Sequence, residues 1–249
     1  MVGSDSQAGG QRNYGLDGIL IINPRNYVAR RENIERQLQA RGLTYEFIHE
    51  HDADDLSESV RLKYFPDSVL SANAQSCAMK HFQALRTIAA CGWKRALVLE
   101  DDAILSNDFA QGVQAAIAES AGFTHPHVLF IGSGGNLYTP RSLRVPGQRL
   151  YRASKGRLTE AYILGSDAAR LRVEWMERHG IALPIDNLFE RIDHELHIEL
   201  YWLEEPVVEQ GSKNGRFLST IESAPPRFMQ QLKFAFQKLR RKYLYQIWN

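Results

Sequence analysis

At 249 residues, with 44% hydrophobic content and a formal charge of +1, the chain can bury a substantial core and carries no global charge that would recruit nucleic acid or another strongly charged partner. No stretch reaches the ~20 apolar residues of a membrane span. The two cysteines, Cys77 and Cys91, fall fourteen positions apart in what reads as one helix. At ~1.5 Å rise per residue they are too far apart to bridge, so a reducing, cytoplasmic setting is expected.

Residues 1–17 contain no charged segment followed by an apolar one and are expected to be a disordered or expression-derived tail. "GILIIN" (18–23) is an apolar, β-branched run ending in Asn-Pro, which predicts a buried first strand feeding a loop. "VARRENIERQLQARGL" follows with Ile34, Leu38 and Leu43 near helical spacing and Gly42 as a stop, and "TYEFIHEHD" (44–52) reads as a second strand. A short helix is expected over "LSESVRLKYF", closed by Pro66. Residues 73–93 predict a long helix with Ala74, Cys77, Ala78, Phe82, Leu85 and Ile88 on one face and Gly92 at its end. "RALVLE" is then a buried strand, residues 106–122 a helix capped by Ser106 or Asn107, and "HVLFIG" another strand.

Strands alternating with helices predict an α/β fold with a mostly parallel central sheet flanked by helices. Residues 133–157, rich in Gly, Pro and Arg, read as a long functional loop. "EAYILGSDAARLRVEWMERHG" resumes a strand and helix, and "LYWLEEPVVEQG" supplies short strands. Residues 222–249 are expected to form a basic helix with Phe228, Leu232, Phe236, Leu239, Tyr243 and Ile247 on an apolar stripe, beside Arg227, Lys233, Lys238, Arg240, Arg241 and Lys242. That pattern suits either contact with an anionic membrane surface or an ordinary packed terminal helix. A single main domain is expected over 18–221.

Glu100, Asp101 and Asp102 stand together directly after the strand "RALVLE". Ligands bind outside the carboxyl ends of strands in parallel α/β sheets, and adjacent carboxylates repel one another unless a cation or hydrogen-bond donors compensate. A hard divalent ion, Mn²⁺ or Mg²⁺, is the natural partner, since it takes carboxylates and leaves room for substrate phosphates. The plainer alternative is that the acids cap the next helix or face solvent. A phosphorelay receiver is excluded, because it needs a phosphoacceptor Asp about two strands after its acidic pair and no Asp occurs between Phe109 and Ser166. No GxxxxGK[ST] phosphate loop is present, and "GSGGN" (132–136) is only a weak glycine loop.

A nucleotide-sugar transferase satisfies these constraints, because a metal at a strand end neutralises a diphosphate leaving group. The order of motifs resembles glycosyltransferase family 25, the lipopolysaccharide and lipooligosaccharide biosynthesis transferases, over about residues 19–221. The family's opening "INLDRxxxRR" appears as "INPRNYVARR", keeping Ile22, Asn23, Arg30 and Arg31. Its "GCxxSHxxxW" and "ALILEDD" appear as "SCAMKHFQAL" and "ALVLEDD", keeping Cys77, His81 and the acidic triplet, with Ser76, Lys80 and Leu85 as departures. "AYILGSDAARL", Pro184 to Asp186, "EPVVEQ" ending at Gln210, and Ser219 to Ile221 match the later motifs.

The resemblance implies a GT-A-like nucleotide-binding fold and an inverting transfer of galactose or a relative from a UDP-sugar to a glycan or lipid-linked glycan hydroxyl. It further implies Asp102 with Glu100 at the metal, and Asn23, Arg30, Arg31, His81, Glu100, Asp101 and Gln210 around the donor. Asp186 then serves as catalytic base, taking the acceptor's proton. Plainer readings stand beside these: a solvated helix face for the arginines, a hydrogen-bonded structural role for His81, and a helix cap for Asp186. Two alternatives remain for the whole chain, a catalytically silent glycan-binding relative and a metal-dependent phosphoryl hydrolase or nucleotidyltransferase.

Overall fold

The computed structural model describes residues 13–66, 68–134, 138–156, 158–211 and 236. The first strand, β1 (Gly18–Ile22), is buried at every position, as a strand covered on both faces must be. Ile19 and Ile21 join one core cluster and Leu20 and Ile22 the other, so its two-residue period stitches both helical layers to the sheet. It is followed by α1 (Val28–Gln39), which buries Ile34 and Leu38, and by β2 (Glu46–Ile48). Gly42, at φ +65°, lets the chain leave α1 in a left-handed turn in which Leu43 N–H donates to the Leu38 carbonyl, 3.1 Å.

A short α2 (Glu58–Tyr64) starts at Ser57, whose hydroxyl accepts from Val60 N–H. The long α3 (Ala72–Cys91) starts at Ser71 in the same way. Next come β3 (Ala96–Glu100), β4 (Ala103–Leu105), α4 (Phe109–Glu119) and β5 (His127–Phe130). Then follow β6 (Leu150–Ala153), β7 (Ala161–Leu164), α5 (Ser166–His179), α6 (Ile185–Glu195), β8 (Glu199–Leu203) and β9 (Val208–Gln210).

Seven strands form the central sheet in the order β2-β1-β3-β7-β5-β8-β6. Five strands run one way; β6 and β7 run the other. The fold is therefore the expected α/β arrangement, with a mostly parallel sheet between helical layers. One layer holds α3, α5 and α6; the other holds α1 and α4. The reversal at β7 has no signal in its sequence, because "AYIL" is buried at all four positions and an apolar run does not encode direction. A separate antiparallel pair, β4 with β9, sits directly after the acidic triplet.

Several boundaries differ from expectation. Asn13 to Asp17 are packed against the domain: Leu16 is buried in the α1–α4 layer, and the Asp17 carboxylate accepts from Lys94 and Arg95 N–H. The tail expected over 1–17 is thus shorter at its inner end. Helix α4 begins after Asp108 rather than at Ser106 or Asn107, because the Ser106 carbonyl closes a turn onto Phe109 N–H first. The stretch 133–157 is not one long loop, since it contains a 3₁₀ turn at Arg141–Leu143 and all of β6. The basic C-terminal helix lies outside the described residues except for Phe236, which is helical and exposed.

Candidate active site

A cavity of about 300 Å³ opens at the carboxyl ends of β1 and β3. Its walls come from the β1–α1 loop, the loop at Asp52 to Asp55, the first half of α3, and Glu100 with Asp101. Strand ends form a ligand site here because their last peptide groups and the following loops are the only parts of a covered sheet left open.

Asp101 is buried, and both its carboxylate oxygens are engaged. Asn23 Nδ2 donates to Oδ2 at 2.8 Å and Arg30 Nη1 donates to Oδ1 at 3.2 Å, while Asp101 N–H donates to the Ile22 carbonyl at 3.0 Å. Burial, reinforced by neighbouring Asp102, pushes its pKa up to about 7 against the opposing pull of Arg30 and Asn23. Asp101 therefore locks the end of β3 to β1 and α1. The Arg30 guanidinium also lies over the Tyr27 ring at 4.9 Å, which narrows the positions it can take.

Glu100 points the other way. Ala96 and Val98 of β3 pack in the α3 layer, and strand alternation puts Glu100 on that same face. Its Oε1 accepts from Thr159 Oγ1 at 2.7 Å and lies 3.5 Å from His81 Nε2. Burial opposes ionisation of Glu100, but His81, Thr159 and Arg30 together outweigh it and hold the carboxyl below its usual range. His81 is fully buried, with Nδ1 2.9 Å from the Tyr162 hydroxyl.

Asp102, only 2% exposed, sits in the turn between β3 and β4, and its carbonyl accepts from Gly211 N–H at 2.8 Å. Pairing of β4 with β9 sets Ala103 opposite Gln210, so Gln210 is carried to the acidic triplet across more than a hundred residues of sequence. Arg31 is half-buried on α1 and is not part of the cavity wall. Asp186 lies in the first turn of α6, whose cap position is Pro184, and its Oδ1 accepts from Asn187 N–H at 2.9 Å. Its charge reaches Cys77: burial first, then Glu100 and Asp186, push that thiol's pKa well above the usual range.

The structure adds site residues that no local sequence signal marks. Lys80 has no exposed surface. Its Nζ donates to the carbonyls of His49 (3.0 Å) and Glu50 (2.8 Å) and pairs with Asp52 Oδ1 at 2.7 Å. Burial lowers its pKa, with Asp52 opposing. The departure from the resembled motif at this position is thus an internal clamp on the loop that walls the cavity. Ser76 Oγ donates to the carbonyl of His51, which sits at φ +67°, a conformation a non-glycine residue holds only when its surroundings impose it. Behind the triplet, Glu160 is fully buried and accepts from Gly134 N–H at 2.5 Å. A Cβ at Gly132 would come within 2.4 Å of Glu160 Oε1, so the segment Gly132 to Gly134 wraps this carboxylate and needs its glycine there.

Three cationic side chains, Arg25, Arg30 and Lys80, line the cavity against five carboxylates, Asp52, Asp54, Asp55, Glu100 and Asp101. All three cations are already ion-paired, Arg25 to Asp55 at 2.7 Å, Lys80 to Asp52 at 2.7 Å and Arg30 to Asp101 at 3.2 Å. A diphosphate entering such a site meets a net negative wall and requires an added positive charge. Asp102, a buried carboxylate at the same strand end, is suited to hold a hard ion, which is commonly bound by one or two carboxylates plus substrate phosphates. Glu100, turned toward α3, is less available to that ion than its place in the triplet suggests.

Among the described residues, no helix is long and apolar enough to cross a membrane. No curated protein matches the chain. Among solved structures, the chain is similar to an inositol-1-phosphate CTP transferase from T. maritima at 9% identity and a TM-score of 0.39, over 88% of this chain and 78% of that one. Residues 16–189 match the family described as glycosyltransferase family 25 (LPS biosynthesis protein). That span takes in Asn23, Arg30, Arg31, Cys77, His81, the acidic triplet and Asp186, and stops short of Gln210. With well over half its length matched, the chain belongs to glycosyltransferase family 25.

Proposed function

We propose that this glycosyltransferase moves galactose or a related hexose from a UDP-sugar to a hydroxyl of a lipopolysaccharide or other surface glycan, with inversion, on a GT-A-like fold. The observation that carries the reading is the excess of carboxylates around a cavity at the carboxyl ends of β1 and β3, with buried Asp102 following Asp101 of its wall in the chain. A diphosphate donor fits that wall only with a cation. Mn²⁺ or Mg²⁺ at Asp102 supplies positive charge to the diphosphate leaving group. Asn23 and Arg30 hold Asp101 in place, and Arg30 adds a fixed positive charge at the cavity wall. Arg31 and His81 act from outside the cavity wall, Arg31 through charge and His81 by orienting Glu100, and Gln210 closes the side formed by β9.

Asp186 is the candidate base. In an inverting displacement a carboxylate must take the acceptor hydroxyl's proton on the face opposite the leaving group. Its half-buried position at the start of α6, near enough to act on Cys77, supports that role. The basic stripe in 222–249 is proposed as a contact with an anionic membrane surface near a lipid-linked acceptor, with the protein at the cytoplasmic face. That reading rests on sequence pattern alone.

The test is nucleotide release from a panel of UDP-, GDP- and CMP-sugars with Mn²⁺, with and without glycan acceptors, beside Asp102→Ala. Acceptor-dependent release from a UDP-hexose, reduced about 10²–10³-fold in the variant, is expected. Release of inorganic phosphate without sugar transfer would favour the hydrolase reading, and an unchanged Asp102→Ala would remove the ion from this residue.

A further inference from the structure

On α3, Cys77 and His81 stand four residues apart and so share one helix face, the face turned toward Glu100 at the end of β3. One donor atom from each, a thiol sulfur, an imidazole nitrogen and a carboxylate oxygen, lie within 4.8 Å of one another. A tetrahedral ion with bonds of about 2.0–2.3 Å needs ligand atoms roughly 3.3–3.8 Å apart. His81 Nε2 and Glu100 Oε1, at 3.5 Å, already stand at that separation. Cys77 reaches it with a shift of about 1 Å, within a side-chain rotation.

The second observation is the state of His81. Its ring is fully buried, and Nε2 makes no hydrogen bond among the described residues. At 3.5 Å the contact with Glu100 is electrostatic and longer than a well-formed N–H···O bond, so it does not satisfy a buried imidazole nitrogen as a full hydrogen bond would. Each oxygen or nitrogen ligand is held from behind. Tyr162 hydroxyl meets His81 Nδ1 at 2.9 Å and Thr159 meets Glu100 at 2.7 Å, the outer support that metal-ligating histidines and carboxylates ordinarily have. With the ring proton on the Tyr162 side, Nε2 presents its lone pair toward Cys77 and Glu100. Cys77 and Glu100 also line the 300 Å³ cavity, giving an ion its path in and leaving a fourth position facing that space.

We propose that Cys77, His81 and Glu100 form a binding site for a borderline divalent cation of the zinc class, separate from the hard-ion position at Asp102. A sulfur and an imidazole in the donor set select against Mg²⁺ and Mn²⁺ and for Zn²⁺ or Co²⁺. The inference does not rest on the transferase reading, and Asp102→Ala separates the two: it removes metal-dependent transfer and leaves this site intact.

The experiment uses the full chain carrying Cys91→Ser, so that Cys77 is the sole cysteine. Zn²⁺ binding is measured by equilibrium dialysis with elemental analysis, and Co²⁺ binding by absorption spectroscopy. One ion per chain is expected, with a thiolate-to-cobalt charge-transfer band and the intense visible bands of tetrahedral Co²⁺. Cys77→Ser and His81→Gln should each weaken Zn²⁺ by more than about 100-fold, beyond what loss of an outer partner produces. No stoichiometric Zn²⁺, a Co²⁺ spectrum without the charge-transfer band, or unchanged affinity in both variants overturns the proposal. Where a variant does not fold, the Co²⁺ spectrum of the parent chain decides alone, since Cys77 is then the only thiol and a thiolate is what produces that band.

Discussion

Two ion pairs, one inside the α5–α6 layer and one at the cavity, differ in a way that separates structure from function. In the α5–α6 layer, Arg172 grips Asp193 through Nε at 2.8 Å and Nη2 at 2.6 Å, with both side chains at most 2% exposed and the guanidinium 4.0 Å from the Phe189 ring centroid. At the cavity, Arg30 meets Asp101 at one point, 3.2 Å, and keeps 14% of its side chain accessible. The first pair is closed, with forked geometry and aromatic cover. The second is held on one side and open to a 300 Å³ cavity on the other. Burial and charge are common to both, so neither marks a site; access to a cavity with groups still able to rearrange does.

Substitutions in the two places should diverge accordingly. The largest effect is expected at the closed pair: Arg172→Ala leaves Asp193 buried without its partner and should cost about 3–5 kcal/mol in denaturant unfolding. Replacing both residues by leucine should restore most of that stability, because a buried pair contributes little beyond well-packed apolar groups. Recovery failing in the double variant would mean that the pair specifies the α5–α6 packing. On the open side, Asp186→Asn should lower transfer by at least about 100-fold while donor binding, followed by calorimetry, stays unchanged. Equal loss of binding and transfer would make Asp186 a positioning residue instead.

Arg30→Gln should cost about 1–2 kcal/mol, read as weaker donor binding more than as lower stability, since Asn23 still holds Asp101. If it destabilises as much as Arg172→Ala, the contrast between the pairs fails. The smallest effect is expected at the exposed helical pair Arg178–Glu174, where both side chains are about half exposed or more. Arg178→Ala there should change the unfolding midpoint by less than about 0.5 kcal/mol.

The elements with strong periodicity were legible in the chain: β1, α1, α3 and β3 follow directly from apolar spacing and from serine and glycine end signals. Those that were not legible depend on partners elsewhere. β4 is three residues long and exists because β9 pairs with it, and β6 emerges from an arginine- and glycine-rich stretch because β8 offers an edge. The segment 1–17 is expected to be a tail, yet Leu16 fills the α1–α4 layer.

The candidate site divides along the same line. The acidic triplet, Asn23, Arg30 and His81 could be named from local motifs, whereas Lys80 as a clamp, Thr159 behind Glu100 and the loop at Asp52 to Asp55 could not. Their partners lie dozens of residues away, and a hydrogen bond between distant residues leaves no periodic trace. By itself the sequence determined that an α/β domain would form and that three acids would end a buried strand, because apolar spacing and strand length are local properties of the chain. Only the tertiary structure decided that these acids diverge, Asp101 toward Asn23 and Arg30, Glu100 toward His81 and Thr159, and Asp102 into the turn beside β9. The reason is physical: successive residues at a strand end face opposite layers, and what each layer offers is set by how the helices pack.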